Sequence, residues 1–265
     1  MGDGLLDLPV LWMSALILGF IYLFTAGIYV LVTRLAVGDR ARTFKAISPG
    51  ILPPLSVIFA ILIGFLAVQD WNDIERANTA VTREASALRG VVLLAAEFPG
   101  EPEARLRQLV RDYIQDAVTR EWPDMARHHA TLAIAPPDLA EALRLTLSLD
   151  PHRAGQTIAQ REMVAFLDSA LDARRQRIIL SHSTINWVKW AVLLMQAGLT
   201  LATIAMVHSD NRVANQIILA IFATGVGVAV VLIASHSGPF AGEISVGPDV
   251  LLQVMPEAAP AGANP

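Results

Sequence analysis

The chain has 265 residues, 54% of them hydrophobic, with a mean hydropathy of +0.50 and a formal net charge of -4. That apolarity exceeds what an ordinary soluble domain carries and predicts several membrane spans, while the acidic balance argues against a nucleic-acid partner. No cysteine is present, which removes disulfides, thiolate metal sites and cysteine nucleophiles together.

Asp3 and Asp7 precede the first apolar run, Leu8 to Thr33, where a cleavable signal would carry Lys or Arg. The run is also longer than the ~7–15 residues of a signal core and reads as a permanent span. The short loop after it holds Arg34, Arg40, Arg42 and Lys45. A second run extends from about Ile51 to Val68 and contains no charge. Its Ile58, Leu62 and either Phe65 or Leu66 fall on one helical face. If this helix lines a pore they form a hydrophobic neck, a constriction that gates by dewetting; contact with lipid or with packed neighbours is the alternative.

The polar insert that follows, residues 70–186, reads as an extramembrane helical bundle. Ile74, Ala77, Val81, Ala85, Leu88 and Val92 recur at spacings of three and four. Nothing breaks the pattern after Val68, so the second span is expected to continue as one helix to about Glu97, stopped by Phe98-Pro99-Gly100. A helix from Glu101 carries Leu106, Leu109, Tyr113, Ala117 and Val118 on one face. It is expected to stop at Glu121-Trp122-Pro123, where Trp122 could otherwise be an anchor, a core residue or a partner contact. Pro136-Pro137-Asp138 opens a short helix that Asp150-Pro151 closes. The last helix of the insert starts near Gln156, with Ile158, Met163, Phe166, Leu167, Ala170 and Leu171 inward, and is expected to merge with the third span. Glu84 is expected to form an interhelical ion pair with Arg174 or Arg177 of this returning helix.

The third and fourth spans are Trp190 to Val207 and Val213 to Ala234, giving membrane segments over 8–69 and 187–235. Each is long enough to cross a bilayer, and backbone in lipid must satisfy its own hydrogen bonds, so all four should be helices. Small residues recur at packing spacing: Ala15 and Gly19, Ala60 and Gly64, Gly198 and Ala202, Ala223 and Gly227. Gln196, Thr200 and Thr203 share a face, for interhelical hydrogen bonds or a wet path. The loop Ser235-His236-Ser237-Gly238-Pro239-Phe240-Ala241-Gly242 then combines one permissive and one rigid backbone position and holds Phe240 in one direction. It is expected to plug Phe240 at the root of the bundle. Val246-Gly247-Pro248-Asp249 turns into a short helix within 236–255, and the Ala/Pro-rich tail 256–265 reads as disordered.

Four spans put both termini and the insert on one side. Positive charge in the loops after spans one and three makes those loops cytoplasmic and the insert and termini periplasmic. The six histidines show no metal-binding spacing, and no phosphate loop, nucleophile elbow or paired-acid motif occurs. Nothing therefore argues for an enzyme, a catalytic residue, a metal or a cofactor.

Several features in order resemble one family: Asp70-Trp71 at the end of span two, Glu84 beyond it, Tyr113 before Glu121-Trp122-Pro123, Arg174 and Arg177 before Trp187, and Pro239-Phe240-Ala241-Gly242 after span four. This order is similar to the bestrophin-like family of uncharacterised membrane proteins, distantly related to the bestrophin anion channels. The resemblance implies an all-α membrane protein of four transmembrane helices with an antiparallel helical bundle inserted between spans two and three. It implies a homo-oligomer in a lipid bilayer, an inorganic anion as permeant partner, and structural roles for the motif residues. It also implies a cytoplasmic bundle, opposite to the loop charges. The bestrophin Arg-Asn-Asn signature is missing, and Ser237 stands where the bestrophin-like pattern has Asp. The composition, rich in Ala and Arg with only Lys45 and Lys189 as lysines, points to a bacterium and so to its inner membrane. Two functions follow: an ion channel with its neck on span two, or a membrane-anchored sensor or scaffold whose bundle binds a ligand or partner.

Overall fold

The computed structural model describes residues 9–37, 43, 44, 46–183, 187–242 and 244–257. Arg40, Arg42, Lys45 and the tail from residue 258 lie outside them. The described residues are helical, without a strand: α1 (Val10–Leu35), a 3-10 turn (Pro49–Ile51), α2 (Leu52–Ala95), α3 (Glu101–Asp116), a π-helical turn (Ala117–Glu121), α4 (Trp122–Ala126), α5 (Pro137–Ser148), α6 (Ala154–Ser181), α7 (Trp187–Val207), α8 (Arg212–His236) and α9 (Asp249–Gln253). Four of these, α1, α2, α7 and α8, are long and apolar enough to cross a membrane.

The chain divides into two compact units, with α2 contributing to both. The first comprises α1, the apolar half of α2, α7 and α8. Its core joins Met13, Ile17 and Ile21 of α1 to Phe59 of α2, Leu193 and Ala197 of α7, and Ala223, Val226 and Ile233 of α8. Gly227 explains the closeness of α1 and α8: a Cβ there would lie 2.5 Å from the Leu18 side chain. Gly198 similarly admits Phe24 of α1. A Cβ at Gly19 or Gly64 would meet nothing within 4 Å, so those two small-residue faces are not packing faces among the described residues. Polar side chains are used for interhelical contacts or satisfied locally. Tyr22 and Thr224 hydroxyls are 2.7 Å apart, Gln196 Nε2 donates to the Leu55 carbonyl at 3.2 Å, and Thr200 and Thr203 donate to carbonyls four residues back.

The second unit is a helical bundle of the polar half of α2 with α3, α4, α5, α6, the Gly238–Ala241 segment and α9. Its core gathers Ala77, Val81, Ala85 and Leu88 of α2, Leu106, Leu109 and Ile114 of α3, Leu139 and Ala142 of α5, and Met163, Leu167 and Ala170 of α6. Gly90 lets α2 and α6 approach, since a Cβ there would lie 2.6 Å from the Phe166 ring.

Three expectations are corrected. The buried stripe of α6 runs Ala159, Met163, Leu167, Ala170, one residue off Ile158, which is 65% exposed. α6 does not merge with span three: it ends at Ser181, His182 closing back on the Ile179 carbonyl, and residues 184–186 lie outside the described chain. Pro256 is not part of a loose tail, because it is buried and its carbonyl accepts from Arg111 Nη1 at 2.5 Å.

Candidate functional site

On the apolar half of α2, Phe59 faces the first unit's core and meets Phe222 with ring centroids 5.8 Å apart. Helical spacing then turns Ile58, Leu62 and Phe65 elsewhere: Ile58 is 49% and Phe65 72% exposed, and Leu62 is half-buried. The stripe is uncharged, and among the described residues none covers Phe65. Beyond it Asp70 is buried, whereas Trp71 is exposed.

The bundle holds a different kind of site, built from charges. Glu84 of α2 and Arg177 of α6 are both fully buried and pair through two bonds, Nε to Oε2 at 2.8 Å and Nη2 to Oε1 at 3.0 Å. Tyr113 of α3 donates its hydroxyl to Glu84 Oε1. Arg177 Nη2 also donates to Glu121 Oε2 at 2.9 Å, while Arg174 donates from Nε to Glu121 Oε1 at 2.8 Å. The Arg177 guanidinium lies over the Trp122 ring, 4.5 Å from its centroid, and its Nη1 meets Met125 sulfur at 3.4 Å. Two carboxylates thus balance two guanidiniums inside the core, the condition under which buried charge is tolerated. A weakly hydrated, planar guanidinium suits this place better than an ammonium.

The electrostatics keep each group in the protonation state its bonds require. Burial works against the charge on Arg177, but Glu84 and the other acidic partners outweigh it and raise its pKa above the ordinary arginine value. Burial, reinforced by the Glu84 charge, pushes Tyr113 well above its ordinary value, so it remains a donor. For Glu121 burial disfavours the charged form, yet its bonds to Arg174 and Arg177 win and hold it below the usual carboxylate range.

Local structure brings Glu121 and Trp122 to this cluster in a way that overturns the expected helix stop. The five residues Ala117–Glu121 form a π-helical turn, with the Trp122 N–H reaching the Ala117 carbonyl. Pro123 follows directly in a chain that stays helical through Glu121 and Trp122 to Ala126, its missing N–H falling where the π-helical turn has already interrupted the regular ladder. Trp122 is a core residue: its indole N–H donates to the Val246 carbonyl at 3.0 Å and its ring meets Phe240 edge-on at 5.8 Å. Phe240 is buried in the bundle core. Gly238 and Gly242 take positive φ angles of 105° and 81° on either side of it, and the Pro239 carbonyl accepts from Val246 N at 2.8 Å.

The structure therefore brings Glu84, Tyr113, Glu121, Trp122, Arg174, Arg177 and Phe240 together. Pro123 and Pro239 shape the backbone beside them, and Asp70, Trp71 and Gly242 belong to the other unit. Sequence reasoning missed Met125 and Val246. A signal for the charged pair existed: Glu84 continues the buried register of Ala77, Val81 and Leu88, and Arg177 that of Met163 and Ala170.

These features define a multi-span helical membrane protein with an ionic bundle core. A model of the Bestrophin-like domain matches residues 19–251, and the chain belongs to that family. Crystal structures of two point variants of a bacterial bestrophin homologue from Klebsiella pneumoniae resemble it, with TM-scores of 0.67 and 0.68 at 14% sequence identity. The alignments cover 90% of this chain and 96% and 97% of those chains. A further crystal structure, of a membrane protein variant, gives 0.67 at 13% identity over 90% of this chain and 96% of that one. At such identities the likeness concerns the fold alone. Among curated proteins none matches the chain.

Proposed function

We propose that this chain is the pore-lining subunit of an oligomeric ion channel in the bacterial inner membrane, with the Ile58, Leu62 and Phe65 stripe of α2 as its neck. The observation that carries this is the poor internal cover of α2. Only 6% of its most apolar window is buried, against 22% for α1 and 39% for each of α7 and α8. One helix per protomer cannot enclose a path, so the pore requires copies arranged about a common axis. Uncharged side chains of this size, ringed around such an axis, exclude water until the ring widens. The resemblance to bestrophins makes chloride the first ion to test. In this proposal residues 70–186 form an extramembrane bundle, which loop charge places on the periplasmic side together with the termini. The deciding experiment is single-channel recording in planar bilayers under a chloride gradient, with the purified oligomer's mass known. Anion-selective currents whose amplitude or open probability rises with Leu62→Ala support the channel. Silent bilayers from a folded monomer reject it in favour of a bundle that serves as sensor or scaffold.

A further inference from the structure

The bundle contains a cavity of about 350 Å³, within the range of about 300–1,000 Å³ typical of small-molecule sites. Its floor is the Glu121–Arg174 pair, one wall is the π-helical turn, and the other is the irregular segment from His129 to Pro137. π-Helical turns recur at functional sites because they re-aim side chains without ending the helix.

The irregular wall is fixed in place by the protein itself. His128, with φ at 59°, donates from Nδ1 to the Ser181 carbonyl at 2.6 Å, and His182 Nε2 donates to the Ala130 carbonyl at 2.8 Å. The backbone N–H groups of His129 and Ala130 both donate to the Asp124 carbonyl, at 2.8 and 3.2 Å. A cavity held this way exists before any ligand enters, which lowers the cost of binding.

Its chemistry follows from subtraction. Arg120 pairs with Asp116 at 2.8 Å, and Arg174 with Glu121 at 2.5 Å, so these charges cancel. Asp124 lines the same cavity and is half-buried, and its carboxylate has no side-chain partner among the described residues. No grouping of His, Asp and Glu suited to a metal ion occurs among the described residues. Of the remaining lining, Ala130, Ile134, Ala135, Pro136, Pro137 and Ile178 are apolar, and His129 and Thr131 are polar.

We propose that this cavity binds a small organic cation of the alkylamine class, its ammonium on Asp124 and its hydrocarbon against Ile134, Ala135 and Ile178. This does not depend on whether the protein conducts ions. The test is isothermal titration calorimetry on the purified full chain at pH 8, with n-butylamine as probe and n-butanol and butyrate as neutral and anionic isosteres. Butylamine should bind at least about tenfold tighter than either isostere. Asp124→Asn should weaken it by a similar factor, Asp124→Glu should retain it, and Ala135→Phe, which fills the cavity from its exposed side, should abolish it, all with unchanged circular dichroism. Absence of butylamine binding at millimolar concentration, equal binding of butanol or butyrate, or undiminished binding to folded Asp124→Asn would each overturn the proposal.

Discussion

Arg177 is a guanidinium at zero exposure, and its removal measures how strongly the bundle depends on charge balance. Arg177→Met leaves Glu84 buried without its cation. It should destabilise the bundle by about 3–5 kcal/mol, read as a loss in unfolding free energy in detergent. Adding Glu84→Leu should recover much of that loss, because the second substitution removes the orphaned carboxylate while Arg174 still holds Glu121. The same cluster sets an acid limit. Glu121 has a depressed pKa in the folded state, so its stabilising contribution is full above its unfolded value and is lost as pH falls through its folded one. Thermal stability should be level from neutral pH down to the ordinary carboxylate range and fall below it, and Glu121→Gln should be less stable at neutral pH and show a shallower fall. Arg177, whose pKa is raised, adds no transition on the alkaline side within the accessible range. At this scale the sequence named the participants, since charges standing in an otherwise apolar register attract attention. It did not reveal that Glu121 bridges both arginines, because the register of a π-helical turn is invisible to a period of 3.6.

Among the elements, the helix patterns of α2, α5 and α9 were legible because breakers bound them: Phe98-Pro99-Gly100, Pro136-Pro137, Asp150-Pro151 and Val246-Gly247-Pro248. Pro123 misled because the π-helical turn before it already opens the regular ladder, so the proline is accommodated while the chain stays helical. Pro123→Ala should therefore change stability by less than about 1 kcal/mol in the same unfolding assay. Ile158 misled because one residue's rotation separates a buried face from an exposed one, and the neighbours that choose the face are distant in sequence. Gly90 gives the opposite test. A methyl group there meets the Phe166 ring at 2.6 Å, so Gly90→Ala should cost about 1–3 kcal/mol despite its better helix propensity.

For the whole molecule, four apolar stretches sufficed to give the spans, since length and hydropathy alone decide what can cross a bilayer. Nothing in one chain fixes how many copies assemble or which side the bundle occupies, because both depend on partners and on the insertion machinery. The absence of cysteine makes orientation directly measurable. Single replacements Ser86→Cys in the bundle and Asp210→Cys between α7 and α8 should respond oppositely to a membrane-impermeant maleimide. A periplasmic bundle predicts labelling of position 86 and protection of position 210 in intact spheroplasts; the reverse pattern places the bundle in the cytoplasm.

The hydrogen bond from Trp122 to Val246, with Phe240 against the same indole, has a consequence in time. A ribosome releases the bundle's helices long before it releases residues 238–254, and two apolar spans must be inserted in between. Until then the nascent bundle lacks Phe240, Val246 and Leu251, all buried in its finished core, and carries an indole N–H with no acceptor. The domain is thus begun early and closed last, so truncation after Ser237 should leave α3 and α6 open to protease. A chain whose translation stalls in its final span would present the cell with an unsealed bundle, which marks it for disposal before it can assemble.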